Sequence, residues 1–175
     1  MAIKLLGVQG KKILENDEQA LTQDFIMINH PVFFVDEPLR YLSSIEDTNS
    51  KSTLKKLHIP FALGFKGTLN ALGASNSKIS NPVQARYWSM VPYQLGLGAD
   101  RQAVKYSARS CSLSADTMLN QSDPNFLRAA LQNTLNKKDV CMEFLIQPRT
   151  SNKMLVETSM NEWKEDKAPF YKVAT

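Results

Sequence analysis

DFIMINHPVFFV (residues 24–35) reads as one apolar strand broken in its middle by Asn29-His30-Pro31. The flanking Phe, Ile and Val residues suit a strand packed on both sides. Pro31 has no N–H to give a ladder, so it marks an edge or a bulge. A bulge there would aim Asn29 into a cavity. The plainer alternative is a strand end at which Asn29 and His30 are satisfied by backbone groups.

Outward from this stretch, Ala2 to Val8 alternates as a strand and leads into a Gly10-Lys11-Lys12 turn and a polar connection from Glu15 to Gln23. Glu37-Pro38 starts a short helix over Leu39 to Ile45, with proline where a missing N–H costs nothing. A loop, Asp47 to Ser52, comes next. Leu57, Phe61, Phe65, Leu69 and Leu72 then recur at spacings of three and four, which predicts one inner face of a helix from Leu54. Pro60 kinks that helix or marks its true start. The polar stretch ASNSKISNP (74–82) separates the helical part from the next strands. Arg86 to Leu95 and Gln102 to Ser110 read as a strand pair joined by Gly96 to Arg101. Asp123-Pro124 predicts a helix start with Asp as cap and Leu127, Ala130, Leu131 and Leu135 inward. Val140 to Gln147 is a further strand. The tail from Asn161 carries Trp163 and a last strand at Phe170 to Val173. Strands and helices do not alternate regularly, so the expected class is α+β with a mainly antiparallel sheet, in a single domain over residues 1–175.

Composition excludes several functions. The 43% apolar and 22% charged fractions are those of an ordinary globule, and no run reaches the ~18 apolar residues of a membrane span. The N-terminus lacks the pattern of a signal peptide, so the expected setting is cytoplasmic, without a membrane partner. The net charge is +4, yet Lys11-Lys12, Lys55-Lys56 and Lys137-Lys138 are isolated pairs with no basic stripe, which argues against nucleic acid. Cys111 and Cys141 have neither CxxC spacing nor a His at ligand spacing; no metal is expected, no disulfide scaffold, and both read as buried thiols. Neither a GxSxG, HExxH or P-loop motif nor a GxGxxG after a strand is present. His30 and His58 read as surface or satisfied polar residues.

INHPVFF, continuing into Asp36-Glu37-Pro38, resembles the catalase segment in which a distal Asn precedes a Pro-x-Phe-Phe strand and an acidic-Pro helix start. Other matches come in the same order. Ala2-Ile3-Lys4-Leu5 resembles the preceding Ala-Val-Lys-Phe strand, and Gln102-Ala103-Val104-Lys105-Tyr106 resembles the later Val-x-x-Lys-Phe strand. Phe144-Leu145-Ile146-Gln147 resembles the Phe-Tyr-Ile-Gln strand, and Trp163 with Pro169-Phe170-Tyr171-Lys172-Val173 resembles the tryptophan-proline loop. AIKLLGVQG (2–10), DFIMINHPVFFV and NPVQARYWSMVPYQLG (81–96) are similar to the short catalase-like heme proteins.

The resemblance implies a heme within an antiparallel β-barrel with flanking helices, and peroxide, hydrogen peroxide or an organic hydroperoxide, as substrate. In that chemistry a distal His takes the peroxide proton, a distal Asn holds its oxygens, and a proximal tyrosinate makes the iron electron-rich. By position, Asn29 is the candidate distal amide, although ungapped alignment on Pro31 sets Ile28 there. Phe33 and Phe34 match the distal aromatic pair, and Tyr41 matches a heme-stacking Phe; ordinary core packing accounts for all three equally well. The family's distal His arm would precede Met1, and its axial Tyr helix would lie beyond Thr175. The resemblance thus makes the chain a central fragment truncated at both ends, lacking the axial ligand and inactive alone or active with a complementing chain. The alternative is a remnant barrel that binds heme, another apolar ligand or a partner without catalysis. Exposed strand edges and an apolar cavity would make the isolated chain a homo-oligomer or aggregation-prone.

Overall fold

The computed structural model describes residues 1–12, 15–76, 78–112 and 122–175. Among the described residues there are two antiparallel sheets and three α-helices. Strand β1 (Ala2–Leu6) pairs with β2 (Thr22–Ile26) from Ala2↔Ile26 to Leu6↔Thr22. The larger sheet holds β3 (Tyr87–Trp88), β4 (Tyr93–Leu95), β5 (Gln102–Ser110), β6 (Met142–Pro148) and β7 (Tyr171–Ala174) in the order β3-β5-β6-β7, with β4 also on β5. A bridge between Ile28 and Trp88 ties the two sheets together. The ladder closes no barrel among the described residues, which corrects the expected closed form to an open pair of sheets.

Period-two alternation builds the core. Phe25 and Met27 from one sheet meet Val104, Tyr106 and Ala108 from the other. Phe25 packs edge-on to Tyr106 with ring centroids 4.7 Å apart, and Tyr106 stacks on Phe144 at 5.2 Å. Such aromatic pairs add about 0.5–1.5 kcal/mol each beyond the area they bury. The sheets therefore enclose a filled aromatic core.

The opening stretch does not form one strand. β2 stops at Ile26, Ile28 makes its bridge, and residues 29–37 are irregular. Pro31 lacks a donor, and His30 Nδ1 bonds the Val32 carbonyl at 3.0 Å. Both favour the plainer reading of a strand end. The expected strand pair from Arg86 is present, but Ser89 to Pro92 interrupts it between β3 and β4. There Met90 takes φ 61°, a left-handed conformation rare outside glycine. Ser89 Oγ holds the break by accepting from Tyr106 N and donating to Val91 O, both at 3.0 Å.

Helix α1 (Pro38–Asn49) begins with its proline as expected and runs on through Asp47 to Asn49, which had read as loop. Helix α2 (Thr53–Ser75) breaks at Gly64 (φ 70°, ψ 173°), not at Pro60. Its periodic stripe faces outward: Leu54, Leu57, Phe61, Phe65, Leu69 and Leu72 are all exposed, and only Leu63 and Gly67 are buried. Helix α3 (Phe126–Leu135) starts beyond the expected cap. Asp123 accepts from the Asn125 N–H at 2.8 Å, Asn125 is the N-cap, and Leu135 is exposed while Ala130 and Thr134 are buried. Asn81, from the polar stretch read as a separator, is buried and donates to Thr134 Oγ1 at 2.7 Å.

The cysteines also depart from expectation. Cys111 and Cys141 are exposed and joined as a disulfide, with Cα atoms 5.4 Å apart. The β5–β6 pairing ends at Ser110↔Met142, and Cys111 N donates to Cys141 O at 3.0 Å just beyond it. The ladder brings the two side chains together, a long-range effect that sequence spacing does not reveal.

Candidate functional site

Residues 29–36 are held from two sides. On one side lies α2, where Asn70 Nδ2 donates to Phe33 O at 3.1 Å and to Met160 O at 3.3 Å. On the other lies the tail, where Ser159 Oγ donates to Val35 O (2.6 Å) and Asp36 Oδ1 (2.9 Å), and Phe33 N donates to Ser159 O (3.1 Å). The irregular segment thus keeps its backbone groups paired outside a sheet. Gly67 lets α2 approach, since a Cβ there would lie closer to Phe34 O than van der Waals contact allows. Gly73 lies similarly under the His30 ring, 3.1 Å from Nε2 to such a Cβ.

This clamp gathers three rings. Phe33 and Phe34 have centroids 4.5 Å apart, and Tyr41 on α1 lies 5.4 and 5.9 Å from them. Phe33 and Phe34 are half-buried and Tyr41 is 38% exposed. The result is a one-sided aromatic wall. Asn29 is half-buried four residues upstream, next to the Ile28 bridge. Gly67→Ala is expected to displace the wall, because overpacking against backbone costs about 1–3 kcal/mol, more than the ~1 kcal/mol gained in helix propensity. A denaturation midpoint at or above that of the parent would contradict this.

The opposite face of β5 carries a second polar constellation that sequence reasoning missed. Lys105 is 4% exposed, donates to Asn161 O at 3.1 Å and lies over the Trp163 ring at 5.4 Å. Beside it, Arg86 sits between the Trp88 and Phe170 rings, 4.9 and 4.8 Å from their centroids, and pairs with Glu165 at 2.8 Å. A small cleft runs between Lys105, Trp163, Trp88 and Phe170. The available signal was only a lysine flanked by Val104 and Tyr106 in an alternating strand, a pattern that by itself reads as a surface position.

Burial pushes the Lys105 ammonium down to about 8 from 10.5, partly opposed by Glu162. Folding therefore expels a proton between about pH 8 and 10.5, where the unfolded chain still holds it, and stability rises with pH through that window. At ~1.4 kcal/mol per pKa unit the full effect is a few kcal/mol. Burial raises the phenols of Tyr87, Tyr93 and Tyr106 above 10, so their opposite contribution enters only above that pH. The urea midpoint should climb from pH 7.5 to 9.5 in the parent and stay flat in Lys105→Met; equal slopes would exclude Lys105 as the cause.

An open, antiparallel α+β scaffold with a filled aromatic core, a clamped aromatic wall and an external helical hairpin is a class of fold with solved counterparts. The chain is similar to a fungal catalase, with a TM-score of 0.66 at 14% identity over 86% of its own length. The match spans 34% of that catalase chain, so this chain covers about a third of it. At that identity the likeness establishes a catalase-like fold. Neither a family model nor a curated protein matches the sequence.

The catalase-like fold raises the question of heme, and the residues give a divided answer. Phe33, Phe34 and Tyr41 offer an apolar wall suited to one face of a flat macrocycle. They do not offer an enclosure, and the cleft beside Lys105, with a cavity volume of about 10 Å³, is far below the ~300–1,000 Å³ of small-molecule pockets. Tyr106 is buried and Tyr87 and Tyr93 are half-buried, and loss of solvent pushes all three phenols up, which makes them poor phenolate donors. The described residues of this chain therefore do not fit a complete heme site by themselves.

Proposed function

We propose that this chain is a catalase-like heme-protein module of peroxide metabolism that contributes a heme-facing wall and does not turn over peroxide alone. The observation that carries the reading is the Phe33-Phe34-Tyr41 cluster, at the positions where the resemblance to catalases sets the distal aromatic pair and the stacking ring. The similarity in fold to the fungal catalase supports it. Asn29 would supply an uncharged donor near that wall, a role an amide can fill without carrying charge into an apolar site. The ligand and the proton-accepting imidazole would come from a complementing chain or segment.

Hemin titration tests this. The wild-type chain should bind hemin weakly, through the wall alone, and perturb its Soret band by an amount that falls at least several-fold in Phe34→Ala/Tyr41→Ala, with no oxygen release from hydrogen peroxide. Binding unchanged in the double variant would remove the wall from the reading, and turnover by the isolated chain would overturn the need for a complement.

The exposed helical hairpin favours a second reading, in which the scaffold acts as a non-enzymatic interaction module. Partner binding unaffected by heme would support it.

A further inference from the structure

Lys105 is a costly residue for its position. Strand β5 is paired with β4 through Tyr93↔Val104 and with β6 through Lys105↔Gln147, so the lysine backbone is fixed in the middle of the larger sheet. Its side chain is buried, and an ammonium taken out of water is unfavourable unless it meets a partner. A methionine of similar length would also lie along the Trp163 ring. What the amino group adds is its bond to Asn161 O at 3.1 Å.

Asn161 closes a short turn that ends at the aromatic wall. Its N–H donates to Thr158 O at 3.4 Å and its Nδ2 to Thr158 Oγ1 at 2.8 Å. Inside the turn, Ser159 O accepts from Phe33 N at 3.1 Å, Ser159 Oγ donates to Val35 O at 2.6 Å, and Met160 N donates to Asp36 Oδ1 at 2.9 Å. From α2, Lys66 Nζ donates to Asn161 Oδ1, and Asn70 Nδ2, about one helical turn further on, reaches both Met160 O and Phe33 O. Two lysines on different elements thus meet one asparagine, and the turn that it closes carries the backbone of Phe33 to Asp36.

We propose that Lys105 is a positioning residue for the Phe33-Phe34-Tyr41 wall, fixing it to the sheet through the 158–161 turn. Its functional meaning rests on the heme-facing reading of that wall. The paired strand supplies a rigid reference, and the ammonium makes a charge-assisted bond, stronger than a neutral one. The turn, closed by its own bonds, passes that constraint to Ser159 and Met160. Gln147 has a different part: opposite Lys105 in register, it holds Trp163 O and Ala168 O, further along the tail from the wall.

Amide hydrogen exchange of the full chain, read residue by residue, tests this, with hemin titration beside it. In Lys105→Met the Phe33 and Met160 amides should lose at least about tenfold in protection relative to amides of the β5–β6 ladder, the scale set by one hydrogen bond to a charged group. The perturbation of the hemin Soret band should fall several-fold with them. Lys105→Met and Ser159→Ala should be non-additive at Phe33, because both loosen the same turn from the wall, whereas Thr134→Val on α3 should add to Lys105→Met. Should Lys105→Met fail to fold, Lys105→Gln, which keeps a polar tip without the reach, carries the same expectations. Protection at Phe33 and Met160 that holds, or falls only in step with the ladder, would overturn the proposal, as would lost protection with hemin binding unchanged. A parent chain that leaves the Soret band untouched would instead refute the heme-facing reading, while the exchange result still judges Lys105.

Discussion

Gln147→Leu should lower stability by about 2–4 kcal/mol, read as a thermal midpoint depressed by roughly 5–15 °C. Gln147 is 1% exposed in β6, and its amide nitrogen donates to Trp163 O at 2.8 Å and Ala168 O at 2.7 Å. Those two bonds fasten the tail against the sheet. Around them Met154, Trp163 and Ala168 form a second small core with Ala103, separate from the aromatic one. Leucine has similar volume and no donor, so the substitution leaves two buried carbonyls without this partner while changing packing little. Because Trp163 also covers Lys105, the variant should loosen the lysine's enclosure and shrink the rise in stability expected between pH 8 and 10. A midpoint shift equivalent to less than ~1 kcal/mol would mean that the tail is held by its other contacts.

The second large effect is that of the disulfide. Cys111→Ser/Cys141→Ser is expected to cost about 3–4 kcal/mol on the chain-entropy account for a closed loop of this length. The bond spans 30 residues, and its stabilisation comes mainly from restricting the unfolded chain. Thiol titration of the unreduced, denatured protein should find none free. Two free thiols would refute the bond, and an unchanged urea midpoint in the double variant would show that the β5–β6 ladder already supplies the restraint.

Local patterns made several elements legible. Alternation gave β1, β5 and β6, and the proline at the start of α1 is where its missing N–H is harmless. The glycine-bearing loop before β5 and the closing strand at Tyr171–Ala174 arise from turn chemistry and strand composition. The strand order depends on pairings between distant segments, such as β5 with β6, and the bridge Ile28↔Trp88 likewise joins residues sixty apart.

The candidate site was legible only in part. Phe33, Phe34 and Tyr41 were found by resemblance and do meet. The reason they meet lies in Gly67 and Asn70 on α2 and in Ser159, none of which has a local signal. Lys105 and Gln147 look like surface positions of alternating strands until the tail folds over them.

By itself the sequence determined where the chain can turn, which residues alternate across the sheets, and which segments are helical, because these depend on backbone sterics and neighbours a few residues away. Periodicity found the stripe on α2 but could not say which way it faces, since an apolar face records only that something covers it. Tertiary structure decided that the stripe lies outside, that the two cysteines meet and that Lys105 is buried. Those outcomes depend on which distant surfaces come into contact, where burial and hydrogen bonding across many residues outweigh local preference.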